Sequence, residues 1–182
     1  LKYITGISKG EDTLKAQDHN GNTPLHLAVA YGHERCVQYL LSYGCPEIVG
    51  MRNNGSDTAA HLAACYGRCQ VLKQIGAFDP NALSASGKNS YTPLHCAAKY
   101  GHLECLKYIT GISEGKDTLK AQDHNGNTPL HLAVLRKKEQ CVQYLLESSS
   151  LDILDILDIK NSSSNSAIHL AASSGKLQIL EL

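Results

Sequence analysis

Apolar residues in this chain follow two spacings in turn. In Glu34-Arg35-Cys36-Val37-Gln38-Tyr39-Leu40-Leu41, residues Cys36, Tyr39 and Leu40 fall at i, i+3 and i+4, which predicts a helix with one buried face. A shorter helix is expected just upstream. Thr23 is a favoured N-cap, Pro24 suits the first turn, and the helix should stop near Gly32. Ahead of each helix pair the spacing drops to two, in Leu14 and Ala16, Val49 and Met51, Leu83 and Ala85, Leu119 and Ala121, and Leu157 and Ile159. That alternation predicts a short extended hairpin arm. Asn20-Gly21, Asn54-Gly55 and Asn125-Gly126 supply turn residues at or near its tip. Each unit therefore reads as hairpin, helix, helix.

The unit recurs. Thr23-Pro24-Leu25-His26 returns as Thr58-Ala59-Ala60-His61, Thr92-Pro93-Leu94-His95, Thr128-Pro129-Leu130-His131 and Ser166-Ala167-Ile168-His169, at intervals of 34–38 residues. Most first helices end near a glycine, Gly32, Gly67, Gly101 or Gly175. These residues resemble the ankyrin repeat, whose period is about 33 residues around a Thr-Pro-Leu-His core. The resemblance covers the whole chain. It implies an all-α solenoid with short β-hairpin arms, a stack of helix-turn-helix units. It also implies that His26, His61, His95, His131 and His169 bond to the hydroxyls of Thr23, Thr58, Thr92, Thr128 and Ser166 and to neighbouring backbone. In this register residues 1–17 form a partial repeat (second helix and arm). Repeats follow at 18–52, 53–86, 87–122 and 123–160, and 161–182 is again partial. Neither end carries a polar cap, so the chain is expected to be an excerpt of a longer array.

Three units depart from the pattern. Gly76 follows Gly67 sooner than Gly44 follows Gly32, which predicts a second helix about one turn short near Val71, with Phe78 covering the gap. The run Leu151-Asp152-Ile153-Leu154-Asp155-Ile156-Leu157-Asp158-Ile159 repeats Leu-Asp-Ile three times. It is either a docking segment or a slipped insertion folded back on the array, with Leu157 and Ile159 as the ordinary arm. The last unit keeps its N-cap and histidine but lacks the proline. In addition, Leu1–Val29 recurs as Leu106–Val134 except for Lys9 against Glu114 and Glu11 against Lys116, a three-unit block copied within the chain.

Composition removes several function classes. Lys plus Arg and Asp plus Glu are 17 each, so the net charge is zero and nucleic acid is a poor partner. No apolar run suits a membrane span, and Leu1-Lys2-Tyr3-Ile4 does not begin a secretory leader. Seven cysteines without a Cys-x-x-Cys pair suit reduced thiols in the cytoplasm. The nine histidines fall at repeat positions rather than at metal-ligand spacing, and Cys36, Cys105 and Cys141 share one second-helix position. The Gly111-to-Lys116 stretch lacks phosphate-loop spacing. The expectation is no enzyme, no cofactor, no metal and no small-molecule substrate.

What remains variable lies at the hairpin tips and at the C-terminal ends of the first helices, which line up along the concave face of a solenoid. Carried over from the resemblance, the partner-binding candidates are His19, Asn22, Tyr31, Tyr66, Lys88, Asn89, Tyr91, Lys99, Tyr100, His124, Asn127 and Arg136. Tyr31, Tyr66 and Tyr100 share one position per unit, and each either contacts a partner or shields its inter-helix turn. Tyr39, Tyr108 and Tyr144 belong to second helices and read as packing. The functional expectation is a scaffold that binds a partner protein. The alternative is a cytosolic tether or regulatory domain of a larger membrane protein, such as an ion channel.

Overall fold

A computed structural model describes residues 10–112, 116–148 and 153–175. The expected residues 1–9 of the first partial repeat and the second helix at Gln178-Ile179-Leu180-Glu181-Leu182 lie outside the described residues. Within them the chain is a stack of helix pairs. The first helices are Pro24–Ala30, Ala59–Cys65, Pro93–Tyr100, Pro129–Leu135 and Ala167–Ser173. The second helices are Glu34–Tyr43, Cys69–Phe78, Leu103–Ile112 and Glu139–Ser148. First helices pack on one another in chain order, and second helices do the same in a parallel layer.

The core is continuous across units. Small residues (Ala59, Ala60, Ala63, Ala64, Ala97, Ala98) are buried in the first layer, whereas Val37, Leu40, Leu72, Ile75, Leu106 and Ile109 fill the seam with the second. Small side chains let helix axes approach more closely than bulky ones do, so the layer of first helices is the tighter of the two. In the helix at Glu34–Tyr43 the deepest residues are Val37, Leu40 and Leu41, while Cys36 and Tyr39 are half-buried. The buried face is thus rotated slightly from the expected one.

Two expectations of the arms need correcting. Among the described residues there is no strand. The arms are short helical turns at Gly10–Lys15, Glu47–Gly50, Pro80–Leu83, Lys116–Lys120 and Ile153–Leu157, followed by tight loops. Adjacent residues such as Ile48 and Val49, or Ala82 and Leu83, are buried together, as a helical turn allows and a strand does not. The period-2 reading arose from apolar residues two apart, yet in the first three pairs only the first residue, Leu14, Val49 or Leu83, is buried, while Met51 and Ala85 are partly so and Ala16 is exposed.

The second helix of the second unit is also not short. Cys69–Phe78 has 10 residues, the same as Glu34–Tyr43. Gly76 does not end it. A Cβ there would lie 2.7 Å from the Tyr108 hydroxyl and 2.9 Å from Leu83, so glycine is present for close packing. Phe78 is exposed and covers no gap.

The described part of the Leu-Asp-Ile run folds back on the array. Ile156 is buried, and Asp155 pairs with Lys120 at 2.7 Å. Leu154 remains exposed, and Leu151 and Asp152 lie outside the described residues.

First helices stop through one repeated device. Gly32, Gly67, Gly101 and Gly175 have φ of +73°, +66°, +82° and +62°. After Gly32, Gly67 and Gly101 the next N–H reaches back to a carbonyl five residues earlier, as in Arg68 to Ala63 at 2.8 Å. In the fourth unit Lys137 occupies that position at φ +58°, and Lys138 N–H bonds to Ala133 O at 2.9 Å. A side chain in this left-handed region costs about 1–2 kcal/mol. Lys137→Gly is expected to raise stability by about 0.5–1 kcal/mol, the gain being reduced by glycine's larger unfolded-state entropy. Urea unfolding of the two chains measures the difference, and an unchanged midpoint would contradict it.

Candidate protein-binding face

The motif histidines come first because they fix the geometry of everything on the face. Each first helix begins with an extended Thr or Ser N-cap. In the third unit Thr92 donates its backbone N–H to His95 Nδ1 at 3.2 Å, and the Thr92 hydroxyl lies 2.8 Å from the same nitrogen. An Nδ1 that accepts the backbone N–H is unprotonated, so Nε2 carries the hydrogen. Nε2 donates it to Asn127 O of the next unit at 3.1 Å. His26 reaches Asp57 O, His61 reaches Tyr91 O and His131 reaches Asn165 O in the same way. The bonds to the hydroxyl and to neighbouring backbone are both expected; the backbone partner proves to lie in the following unit, which couples one unit to the next. Burial lowers the pKa of His26, His61, His95 and His131, the carbonyl bonds opposing this only in part.

The tips are built by side-chain turns. Asp18 Oδ1 accepts from Asn20 N and Asn22 N, both at 2.8 Å, and those bonds lower the Asp18 pKa. Asn53, Asp123 and Asn161 repeat the turn. The left-handed residue is Gly21, Ser56, Ser90, Gly126 or Ser164, so in the second unit Ser56 bends the chain rather than Gly55. Successive tips are joined by backbone bonds, Asn54 N to Asn20 O, His124 N to Asn89 O and Ser162 N to Asn125 O, each 2.8–2.9 Å. The third unit has Gly87 where the others have Asp or Asn. A Cβ there would lie 2.8 Å from His61 Nε2.

These contacts divide the candidate residues. Asn127 is buried, and its amide joins Asp123 to Asn161. Asn22 does the equivalent between Asp18 and Asn53. Both amides serve the stack, and Asn127 presents no surface to a partner. His19, Lys88, Asn89, His124 and Arg136 are exposed. Tyr31, Tyr66 and Tyr100 are 70%, 55% and 47% exposed, so about half or more of each residue stays open to solvent. Tyr31 stacks on His33 and Tyr100 on His102, with ring centroids 6.0 and 6.4 Å apart.

The third unit gathers the densest group. Lys99 Nζ sits 5.0 Å from the Tyr91 ring centre and 5.4 Å from that of Tyr100. Burial raises the pKa of both phenols, and the Arg136 guanidinium is near enough to oppose that rise. Tyr91, Lys99, Tyr100 and Arg136 thus form one aromatic and cationic cluster across two units.

Sequence reasoning placed His33 and His102 directly after the turn glycine but missed what the residue at that position does, and missed Arg68 and Lys138 there. The Arg68 guanidinium packs over Gly32, and His102 packs over Gly67 and bonds through Nε2 to Cys65 O at 3.0 Å. Lys138 covers Gly101. The available signal was a polar residue recurring one place after the glycine. Tyr108 and Tyr144 do pack between second helices, through Lys73 O and the Thr110 hydroxyl. The cysteines are all free. Burial and the Cys69 thiol push Cys105 up to about 12, and a hydrogen bond donated by the Cys96 thiol to Cys65, with burial, raises Cys96 as well. Such thiols are protonated and poor nucleophiles at neutral pH.

Paired helices stacked in two layers, with turns and helix ends aligned along one edge, define a helical solenoid protein. The sequence profile described as Ankyrin repeats (3 copies) matches residues 2–83, 47–118, 71–155 and 111–182, and the chain belongs to the ankyrin repeat family. It is 36% identical over 67 residues to rat (Rattus norvegicus) diacylglycerol kinase zeta, a match covering 35% of this chain and 7% of that protein. Over 102 residues it is 28% identical to human (Homo sapiens) SH3 and multiple ankyrin repeat domains protein 2, covering 56% and 5%. A probable E3 ubiquitin-protein ligase, XBOS32, of Oryza sativa subsp. japonica is 30% identical over 88 residues, covering 48% and 17%. The matches thus take in a small fraction of each relative. Ankyrin repeats are generally protein-binding modules. Among the described residues no helix is long and apolar enough to cross a membrane.

Proposed function

We propose that this chain is a cytoplasmic scaffold without catalytic activity of its own, which holds a partner protein against the face formed by its tips and first-helix ends. The observation that carries this reading is the row of Tyr31, Tyr66 and Tyr100, one exposed ring per unit on a rigid helix end. Tyrosine offers large contact area at small entropic cost and is enriched at binding hot spots. The small residues between first helices favour curvature toward that layer, which would make the face concave. Relatives named as a kinase and as a ubiquitin ligase share this segment over a small part of their length, consistent with a common module rather than a common reaction.

The test is affinity capture from cell lysate with the intact chain and with the Tyr31→Ala, Tyr66→Ala, Tyr100→Ala variant. Capture should drop at least about tenfold in the variant, since truncating each hot-spot aromatic costs about 1 kcal/mol or more. Equal recovery of the same partner by a folded variant would exclude the face.

A further inference from the structure

Cations on the proposed face lack partners of their own. Lys88, Lys99 and Arg136 make no ion pair within 4 Å among the described residues, where ion pairs are confined to Lys15, Lys107 and Lys120. The carboxylate that acts on Tyr91, Asp123, is buried and occupied by Asn125 N, Asn127 N and the Asn127 amide. Lys99 is held instead between two aromatic rings, which fixes its ammonium without neutralising it. The chain as a whole carries equal numbers of cationic and anionic residues, so this excess is local.

We propose that the partner held on this face is an acidic peptide segment. It sets carboxylates against Lys88, Lys99 and Arg136 and lays apolar side chains along Tyr31, Tyr66 and Tyr100. The inference rests on the scaffold reading above. Asp57 stands on the tip of the second unit, where Arg52, bonded to Ser56 O, offsets its charge, so the net positive part of the face lies over the third and fourth units and the acidic part of the segment lies there. Helices pack about 8–10 Å apart, and an extended chain advances about 3.3 Å per residue. About three residues therefore span one unit, and a segment of about ten reaches from Tyr31 to Arg136. Three cations bordered by Asp57 are a poor match for the continuous charge of a nucleic acid.

The probe is a displayed library of random peptides, about twelve residues long to span those units, selected on the full chain. The enriched peptides should combine Asp or Glu with apolar residues. The Lys88→Glu, Arg136→Glu double variant should weaken the selected peptides at least about tenfold, and rising salt should weaken their binding to the unsubstituted chain but not to the variant. Both substituted residues are exposed, so circular dichroism melts should superimpose. Neutral or basic selected peptides, or acidic ones that ignore the charge reversal, would overturn the inference. Equal competition by a single-stranded oligonucleotide of similar length would do the same. Peptides lost with the triple tyrosine variant but indifferent to charge reversal would leave the face standing and remove only its acidic preference. Peptides indifferent to both sets of substitutions would remove the face as well. A selection that enriches nothing also overturns the acidic segment, while affinity capture with the tyrosine variant still decides the face.

Discussion

Acidification from about pH 7.5 to about pH 5 is expected to destabilise this chain steeply, through four buried histidines acting together. His26, His61, His95 and His131 have folded-state pKa values below the ordinary 6.5, burial being the largest cause. The unfolded chain then binds more protons than the folded one once the pH falls below 6.5. Stability is complete above that value and is lost as the pH drops toward the folded pKa values. Bonding geometry supports the direction. A protonated Nδ1 would present its hydrogen to the Thr backbone N–H, setting donor against donor. Each suppressed histidine contributes at most about 1.4 kcal/mol per pH unit, and four together approach about 5 kcal/mol per unit. Asp18 acts with the same sign but only at still lower pH, because its pKa is lowered from the ordinary carboxylate value of 3.8 and its stabilisation is lost below that. Urea unfolding at several pH values measures the slope. A midpoint that stays constant down to pH 5 would refute it, and His95→Gln should remove about one proton from the uptake.

His95→Ala is expected to cost about 3–5 kcal/mol. The substitution deletes a fully buried ring, leaves the Thr92 N–H and hydroxyl without their acceptor, and leaves Asn127 O without its donor. A buried unsatisfied polar group costs about 1–3 kcal/mol, and the cavity adds to that. His169→Ala is the internal comparison. Its ring is exposed and pairs with Ser166, so a cost of about 1 kcal/mol or less is expected. Denaturant unfolding of the two variants decides the matter, and equal losses would show that the link to the next unit adds nothing. Because solenoid stability is a sum over units and their junctions, loss at His95 should uncouple the third unit from the fourth before the remainder unfolds. Hydrogen exchange resolves that order.

The structure also explains where reading the chain as a line succeeded and where it failed. Thr92, Pro93 and His95 lie within one helical turn, so the cap and the helix start follow from local chemistry. Gly76 misled because glycine has two uses. The residues that require it, Tyr108 and Leu83, arrive from another unit and from the following turn. Asn127 looked like a tip residue open to a partner, yet its amide is consumed by Asn161 of the next unit. The arms were read as strands because alternate burial and a helical turn look alike when only a few residues contribute.

The sequence by itself determined the repeat, its phase, the N-caps and most of the turn glycines, since each depends on residues a few places apart and the pattern returns in every unit. Only the tertiary structure decided which tip residues remain free, that Lys137 accepts a glycine's backbone, and that Lys99 stands between Tyr91 and Tyr100 beside an unpaired Arg136. Those depend on what the neighbouring unit places within bonding distance. One unit's sequence does not encode that until the stack is built.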